Sequence, residues 1–472
     1  MAQAIRKQDG KTRSVQANSG GTTELGVIDT HAAGIDIGAT EEWVACPPKD
    51  GKPNVRKFGT DTPSLGELAD WLTSEGVASV AMESTGVYWI PLFELLEARG
   101  FRVILTDSRT LGRVPGRKTD MLDCQWLQQL HAHGLLGGCF RPKDATLAFR
   151  SLLRTLRTLK AQQDDWIRRM QKALDQMNVR VHRAVSDITG LTGMRMVRAI
   201  VNGERDPAKL VALRDPRCRK SVAQIERELT GNWREEHLFN LGMALESYDH
   251  FGRQIEATLQ RILIELEAIR KQREDTGLSV TPPGEVKEHP DPAKACSMER
   301  YGHEPLRAAL AATFGVDLTA IEGVGAETAA SILGEIGPEI QEAFPDAKPF
   351  VAYLRLAPNL AISGGKPVKG KKKMRQGSPV VHRLLRTSAA SVRRSKSALG
   401  AYYRKTAFRK GAGTAVFATA RKIAQHVYRA LAHGIPYVTM GIEEQDRQAA
   451  ERQRFNIERQ AAKLGLKLVP AA

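Results

Sequence analysis

The chain has 472 residues, 42% of them apolar, and a formal net charge of +17. At about 100 to 200 residues per domain, this length predicts two to four domains with sizeable cores. The sequence has no run of about 18 uncharged apolar residues, which argues against a membrane-spanning helix, and its polar first 26 residues lack the apolar segment of a secretory signal. We therefore expect a cytoplasmic protein without a membrane partner.

The five cysteines are scattered, without a Cys-x-x-Cys pair or a Cys/His pair at zinc spacing. This pattern disfavours both a disulfide framework and a structural zinc site. We expect reduced cysteines, buried in the folded protein. They are Cys46, Cys124, Cys139, Cys218 and Cys296.

The positive charge is concentrated in residues 351–440, here called the basic block. It contains 19 Lys and Arg residues and no Asp or Glu, whereas the rest of the chain holds 51 basic and 53 acidic residues. Solvated faces normally mix both signs. The asymmetry predicts a polyanionic partner, the alternative being a basic surface that binds nothing.

Residues 1–30 are polar and predict a disordered arm. Residues 31–143 predict a domain in which short apolar strands are followed by amphipathic helices. Three strands come first, and helices and strands then alternate, which predicts a mixed α/β sheet with helices on both faces. The expected strands are 34–38, 42–47, 54–59, 78–82 and 101–105, and the expected helices are 64–75, 90–98 and 119–133.

Residues 144–275 predict a helical, coiled-coil region. Apolar residues from Leu241 to Ile269 recur in alternating steps of four and three over four heptads. Gly252 interrupts this seam, and Gln163 occupies a core position of the preceding helix, so a helical hairpin or a short dimer contact fits better than a long rod. Two helices of an ordinary bundle are the alternative. Because an exposed apolar seam needs a partner, we expect this region to assemble protomers.

The remainder of the chain predicts three segments. Residues 276–316 are rich in Pro, Gly and charge and predict a linker. Residues 317–440 predict a mainly helical basic domain, and residues 441–472 a polar helical tail.

Four acidic residues carry the first chemical motif. Asp36 lies in the middle of a strand, Glu83 ends another, and Asp120 and Asp123 share one helix face at i and i+3. A carboxylate in an apolar strand is costly unless it is paired or binds a metal. Four carboxylates at one sheet edge suit Mg²⁺ or Mn²⁺, two of which, about 3.5–4 Å apart, can orient a phosphodiester. Taken singly, Asp120 is also a favourable first-turn helix residue and Glu83 an ordinary strand end. Lys118 beside them would bind phosphate or pair with the acids.

The C-terminal part carries two further motifs. Residues 321–337 resemble a helix-hairpin-helix, in which the backbone at Gly323 and Gly325 would approach a phosphate; an ordinary turn is the alternative. Ser363, followed by two glycines and Lys366, suits a hydroxyl nucleophile acting on a phosphodiester, and a simple turn serine is the alternative. The remaining candidate nucleic-acid contacts interleave basic and aromatic side chains: Lys369, Lys371, Lys372, Lys373, Arg375, Arg393, Arg394, Lys396, Tyr402, Tyr403 and Arg404.

Taken together, these motifs resemble the DEDD transposases, the family of insertion sequences that encode a guide (bridge) RNA. The segments that carry the resemblance occur in the family's order and cover about residues 33–142 and 318–440. They are GIDIG, MESTGVYWIP, GRKTDMLDCQWLQQL, IEGVGAETAASILGEIG, YLRLAPNLAISGGK and RRSKSALGAYYRK.

The resemblance implies a RuvC-like, ribonuclease-H-type first domain and a serine-containing C-terminal transposase domain. Its metal-binding acids fall on Asp36, Glu83, Asp120 and Asp123, and its nucleophile falls on Ser363. We therefore expect a Mg²⁺- or Mn²⁺-dependent recombinase that breaks and rejoins DNA through a serine-linked intermediate. The implied partners are donor and target DNA, a guide RNA and further copies of the chain in a dimer or tetramer, at a bacterial nucleoid.

The arm before Asp36 and the stretch from about 180 to 320 are longer than the family pattern requires. Two other functions remain open. One is a Holliday-junction-type nuclease that hydrolyses DNA by two-metal chemistry, and the other is a non-catalytic nucleic-acid-binding protein whose acids are structural. A covalent protein–DNA adduct separates them, because only a nucleophilic Ser363 predicts one.

Overall fold

The structure is a computed structural model of the chain. It describes residues 26–84, 86–106, 120–138, 146–218, 220–278, 302–357 and 378–434, with short pieces at 141, 280–281, 285–289, 291, 299, 362–363 and 366–367 and scattered residues between 447 and 465. The chain divides into two compact units, Met1–Phe140 and Arg141–Ala472.

The first unit is built on a five-stranded mixed sheet with the order β3-β2-β1-β4-β5. The strands are β1 (Ala32–Ile37), β2 (Glu41–Lys49), β3 (Lys52–Gly59), β4 (Ser79–Glu83) and β5 (Arg102–Thr106). The first three form antiparallel pairs, while β4 is parallel to both β1 and β5. Asp50 and Gly51 connect β2 to β3 with positive φ angles of 52° and 73°, as a two-residue hairpin of right-twisted strands requires.

The helices of this unit are α1 (Thr62–Ser74), α2 (Trp89–Ala98) and α3 (Asp120–Ala132). Asp61 caps α1 by accepting a hydrogen bond from the Ser64 backbone N–H at 3.0 Å. Helices α1 and α2 supply the crossovers that parallel strands need, and their apolar faces form the core with one face of the sheet. The buried core residues include Ile35, Ile37, Val44, Leu68, Leu72, Val80, Met82, Leu92 and Leu96.

A mixed α/β first domain followed by a mostly helical remainder is therefore confirmed. The boundary of the predicted arm, however, was wrong at its last residues. The Ile28 backbone N–H donates to the Ala132 carbonyl at 2.8 Å, and Asp29 accepts hydrogen bonds from Ser79 and Arg102. Residues 26–30 thus belong to the folded unit, and residues 1–25 lie outside the described part of the chain.

In its described residues, the second unit is helical apart from a two-stranded ribbon. It begins with α4 (Leu147–Gln176), and α9 (Glu235–Asp275) packs along α4 as an antiparallel hairpin. Between them lie α5 (Val181–Ala184), α6 (Leu191–Val201), α7 (Pro207–Ala212) and α8 (Val222–Leu229). We call residues 180–234 the tip of the hairpin. Helices α5 to α8 share one core with the end of α4 and the start of α9.

The heptad seam of α9 is buried within one chain. Leu241, Ile262 and Leu266 have no exposed surface, because α4 covers them. At the interruption in the seam, Gln163 on α4 faces Gly252 and donates from Nε2 to the Tyr248 carbonyl at 3.2 Å. The structure therefore shows the helical hairpin. Because the seam is not exposed, it no longer indicates a contact between protomers.

The helices after the hairpin are α10 (Glu304–Phe314), α11 (Ala326–Ile336), α12 (Ile340–Ala343), α13 (Ala347–Tyr353), α14 (Pro379–Ser391), α15 (Ala398–Lys410) and α16 (Ala412–His433). Because α10 lies within residues 276–316, the prediction of a linker over that whole range was wrong. Its apolar Leu306, Leu310 and Phe314 recur every four residues and are buried, which the surrounding Pro and Gly residues obscured.

A buried ion cluster ties the start of the hairpin to α11. The Glu335 side chain is 4% exposed and lies 3.0 Å from guanidinium nitrogens of both Arg150 and Arg154 on α4.

In the described ranges, no helix combines the length and apolar character needed to cross a membrane. The thiols of Cys46, Cys124 and Cys218 are free, the first two of them buried. Cys139 and Cys296 lie outside the described residues.

Candidate active site

Asp36 and Glu83 lie at the same end of two neighbouring strands. In the parallel pair β1–β4, Ile35 is the register partner of Met82, so Asp36 and Glu83 occupy the next level. Residues at one level of a parallel pair point to the same face of the sheet. Both side chains are half-buried, which leaves two carboxylates side by side at the carboxyl ends of the strands.

Helix α3 covers this face through a close backbone contact. A Cβ atom built on Gly34 would stand 2.8 Å from the carbonyl carbon of Leu127, so only glycine allows α3 to lie this near to β1. Gln128 completes the contact by donating from Nε2 to the Ala32 carbonyl at 3.1 Å. Because side chains alternate along a strand, Asp36 faces the same side as Gly34.

The direction of α3 brings its first turn toward Asp36. Gln128 lies level with Ala32, and the Cys124 carbonyl lies level with Gly34. One helical turn and two strand residues advance by similar distances, about 5.4 and 6.6 Å. Asp120, one turn before Cys124, therefore falls at the level of Asp36; its side chain is outside the described part.

A second hydrogen-bond network holds the opposite end of α3. The Ser79 hydroxyl lies 2.8 Å from Nε2 of His131 and donates to Asp29 at 2.6 Å. Burial lowers the pKa of His131. This network anchors the last turn of α3 to the start of β4, so the helix is held at its last turn as well as at its middle.

The pKa of the Cys124 thiol depends on burial and on nearby negative charges. Its pKa is raised to about 12, first because the thiol is buried and further because the carboxylates of Asp36 and Asp123 are close enough to disfavour a thiolate. Asp123 itself is exposed on the first turn of α3. The Asp36 carboxylate on β1 is thus close enough to this thiol of α3 to affect its pKa.

Glu42 is a buried carboxylate near this site that the sequence analysis missed, and it faces the core side of the sheet, opposite to the side of Asp36. It lies on β2 opposite Ile37, is 1% exposed, and Oε2 has no hydrogen-bond partner among the described residues. The pKa of Glu42 is raised to about 8, chiefly by burial and also by the negative charge of Asp36, against a backbone hydrogen bond at Gly38 that lowers it. Its position two residues before Val44 in the alternating strand was the available signal, since both side chains point inward.

No three His, Cys, Asp or Glu side chains within the described set lie close enough together to hold a metal ion. The Asp120 carboxylate does not belong to that set. Asp36, Glu83 and Asp123 do not form such a group in this structure, and the four-acid cluster stays a prediction.

Ser363 lies on a short β-ribbon. Strands β6 (Ile362–Ser363) and β7 (Lys366–Pro367) are antiparallel, and Ser363 is the register partner of Lys366. The ribbon thus turns back between the serine and the lysine. Six predicted contacts lie outside the described residues: Lys118, Lys369, Lys371, Lys372, Lys373 and Arg375.

The predicted glycine hairpin has two different environments. Gly323 has a φ of 81°, and a Cβ atom there would stand 2.9 Å from the Ser388 carbonyl oxygen, so this glycine serves packing against α14. Gly325 is exposed and caps α11, with open space around it. Only Gly325 leaves its backbone accessible to a phosphate.

The basic residues after α14 divide in the same way. Arg393, Arg394 and Lys396 are exposed on a short 3₁₀ turn and the loop after it. Arg404 instead donates to the carbonyls of Arg393 and Ser395, which fixes that loop.

The aromatic predictions also need one correction. Tyr403 is 8% exposed and packs in the interior, so its proposed role in base stacking was wrong. Tyr402 is half-buried, with the Lys422 ammonium 4.3 Å from its ring centre. Two better-exposed aromatic rings are Phe408, which is 94% exposed, and Phe417, over which the Arg386 guanidinium lies at 4.6 Å.

Family comparisons match both of these regions. Residues 33–179 match the family model DEDD_Tnp_IS110, described as a transposase. Residues 317–404 match the model described as the transposase IS116/IS110/IS902 family. The chain carries both domains of the IS110-type DEDD transposases. Among curated proteins, none matches the chain.

The transposase is thus an enzyme that acts on DNA, and its family implies a divalent cation. The side chains at the carboxyl ends of β1 and β4 suit such a cation, because Asp36 and Glu83 supply carboxylates, the hard oxygen donors that Mg²⁺ and Mn²⁺ prefer. Between the matched ranges, residues 180–316 belong to neither model.

Proposed function

We propose that this transposase breaks and rejoins DNA strands through a serine-linked intermediate, using Asp36, Glu83, Asp120 and Asp123 as one cation-binding site. The observation that carries the acidic site is that Asp36 and Glu83 lie side by side at the carboxyl ends of β1 and β4, on the sheet face that α3 covers. Like charges held this close repel one another unless a cation neutralises them.

The first unit supports a RuvC-like, ribonuclease-H-type fold for this site. Three antiparallel strands lead into two parallel ones, in the order β3-β2-β1-β4-β5. The acids come from the carboxyl ends of the two central strands and from the helix packed on them, so rigid elements rather than loops hold them.

A bound Mg²⁺ or Mn²⁺ would supply a positive charge for the developing oxyanions of the phosphodiester. Asp36 and Glu83 would hold it from the sheet and Asp120 and Asp123 from α3. Since all four groups are anions, the same site would exclude a bare phosphate when no cation is present.

Ser363 would act as the nucleophile. Its hydroxyl oxygen attacks the scissile phosphorus and gives its proton to a carboxylate, while the bond to a deoxyribose oxygen breaks and that oxygen takes up a proton. The protein is then linked to the strand end through a phosphodiester on Ser363. In the reverse sense, a hydroxyl of the second strand attacks the same phosphorus and restores the serine, so the bond energy is conserved. Lys366, opposite Ser363 on the ribbon, carries the charge to steady the phosphate.

Donor and target DNA are the proposed partners of the basic block, with 19 positive and no negative residues. Arg393, Arg394 and Lys396 are its exposed contacts in the described part, with Arg386 stacked on Phe417 beside them. A guide RNA and a dimeric or tetrameric assembly rest on the family resemblance alone. Sequencing of RNA that copurifies with the protein tests the first, and sedimentation of the purified protein tests the second.

The deciding experiment is a search for the covalent adduct on end-labelled DNA in Mg²⁺. Ser363→Ala should abolish both the adduct and strand joining but retain DNA binding. Ser391→Ala, an exposed serine at the end of α14, is the matched control and should leave both unchanged.

The same assay tests the proposed acidic site. Asp36→Asn should abolish the adduct and strand joining, because the acidic site and Ser363 act in the same step. Asp50→Asn, in the exposed β2–β3 turn, removes an equal charge and suits the positive φ there, so it should leave activity unchanged. Cleavage by Ser363→Ala at the normal rate would replace the serine mechanism by metal-dependent hydrolysis.

A further inference from the structure

The tip of the hairpin is a second basic region. Residues 180–234 contain 12 Lys and Arg and 6 Asp and Glu. They lie outside both ranges matched by the transposase family models. Because the chain outside the basic block is slightly acidic as a whole, an excess of this size in one subdomain indicates a local binding surface.

An open cleft of about 900 Å³ lies within the tip. One wall is α5 with the segment that leads to α6, and the other is the segment that joins α7 to α8. Ala184 and Val185 supply apolar surface, and Leu191 stands at the edge with 54% of its surface exposed. A volume of this order is in the range of known ligand sites.

Cationic side chains line both walls. Arg183 comes from α5 and Lys220 from the opposite segment, and both are exposed. The Lys220 ammonium donates to the Arg183 carbonyl, so the two residues are held together across the cleft. The Arg183 guanidinium has no acidic partner in the described ranges.

The acidic side chains of the cleft are already engaged. Asp215 is paired with Arg217 at 2.9 Å, which lowers the pKa of Asp215 to about 2. Asp187 accepts hydrogen bonds from the backbone and hydroxyl of Thr189. Arg183 and Lys220 therefore remain as the cations available to an anionic ligand.

We propose that this cleft is a second nucleic-acid-binding site of the transposase, which takes the phosphodiester backbone of a strand against Arg183 and Lys220. Arg183 and Lys220, on facing walls, would each bind one of two successive phosphates. The apolar surface at Leu191 would contact a base or a sugar. DNA and RNA share this chemistry. Within the described residues, neither the acidic residues of the first unit nor Ser363 lines the cleft, and the proposal does not depend on the serine mechanism.

A photocrosslink in the full-length protein locates the strand. The photoreactive residue p-benzoylphenylalanine replaces Leu191 at the cleft in one protein and Val222 in the other. Val222 is 47% exposed on α8 and does not line the cleft, so it is the matched control. With a labelled DNA duplex or a labelled RNA strand at saturating protein, we expect a crosslink at position 191 and none at 222. The probe that crosslinks shows whether the cleft binds DNA or RNA.

A charge series then tests the phosphate contacts. Arg183→Gln with Lys220→Gln should weaken binding of the crosslinking probe about tenfold at low salt and lower the slope of log affinity against log salt by about two. Lys209→Gln with Arg227→Gln removes the same charge from exposed tip residues outside the cleft and should change neither. Far-UV circular dichroism checks the fold of each variant. No crosslink at 191, equal crosslinking at 191 and 222, or equal effects of the two double variants would overturn the proposal.

Discussion

Gly34 on β1 and Leu127 on α3 approach so closely that a side chain on Gly34 has no space. An added Cβ atom would stand 2.8 Å from the carbonyl carbon of Leu127, below the distance that real Cβ atoms show. The obstacle is backbone, so it cannot move aside as a flexible side chain would. The position of α3, and with it that of Asp120 and Asp123 relative to Asp36, depends on this glycine.

We expect Gly34→Ala to push α3 away from the sheet. Overpacking of this kind costs about 1–3 kcal/mol of stability, and strand transfer should fall with it because the carboxylates separate. Gly66→Ala, in the interior of α1 with open space around it, should instead stabilise the protein by up to about 1 kcal/mol. Urea unfolding and the strand-joining assay measure both effects. A Gly34→Ala protein of normal stability would show that α3 shifts freely on the sheet.

The α9 seam should contribute to stability within one chain. Leu266→Ala removes a fully buried side chain from the α4–α9 contact and should cost about 2–5 kcal/mol. Ile264→Ala, on the same helix but 60% exposed, should cost less than about 0.5 kcal/mol. The mass by sedimentation should be unchanged in both. A lower mass with normal stability for Leu266→Ala would assign the seam to an interface between chains.

Glu335 should be needed to neutralise Arg150 and Arg154. Glu335→Gln keeps the shape but leaves two guanidiniums beside a neutral group, and we expect a loss of about 2–4 kcal/mol, since the glutamate is buried and Arg154 is half exposed. Glu256→Gln, exposed on α9, should be close to neutral. Chemical unfolding in parallel gives the comparison, and equal stability of the two variants would contradict it.

Glu42 should make stability depend on pH. Its folded pKa of about 8 lies above the ordinary value of 4.5, so the folded protein holds a proton that the unfolded chain releases between these limits. Stability should therefore fall as pH rises from about 4.5 to about 8, by at most about 1.4 kcal/mol per pH unit, and level off above.

Glu42→Gln isolates this effect because the amide does not titrate. Without divalent cations, the stability difference between the variant and the natural protein should grow in favour of the variant across that window. Urea unfolding at several pH values measures it. A difference that stays constant with pH would mean that Glu42 is ionised in the folded protein.

The order of elements in the first unit could be predicted from local sequence. Apolar strands, the Asp50–Gly51 turn and the capping residue Asp61 act over a few neighbours and are visible without tertiary structure. The acidic residues Asp36, Glu83 and Asp123 could be selected for the same reason, because an isolated acid in an apolar strand or a spaced pair on a helix is a local pattern.

Other features could not be read from local pattern. The role of Gly34 depends on which strand residue lies under α3. A heptad repeat has the same spacing whether its partner is α4 or another chain. Tyr403 is directed inward by the phase of α15, where Leu399 one turn earlier is buried as well. The positive charge of the tip was not predicted because acidic residues elsewhere balance it when charge is summed over the whole chain outside the basic block.

The length of α4 can be compared with the length of a DNA duplex that would lie along it. Thirty residues at a rise of about 1.5 Å make a rod of about 45 Å, stiffened along its side by α9. Since B-DNA rises about 3.4 Å per base pair, this rod spans about 13 base pairs, somewhat more than one turn of the double helix. Because Lys160 in the middle of α4 pairs with Glu327 on the first turn of α11, a strand held at Gly325 and a strand held at the tip would contact the protein about half of that length apart. Removal of one heptad from each helix between them should bring the two contacts closer by about three base pairs.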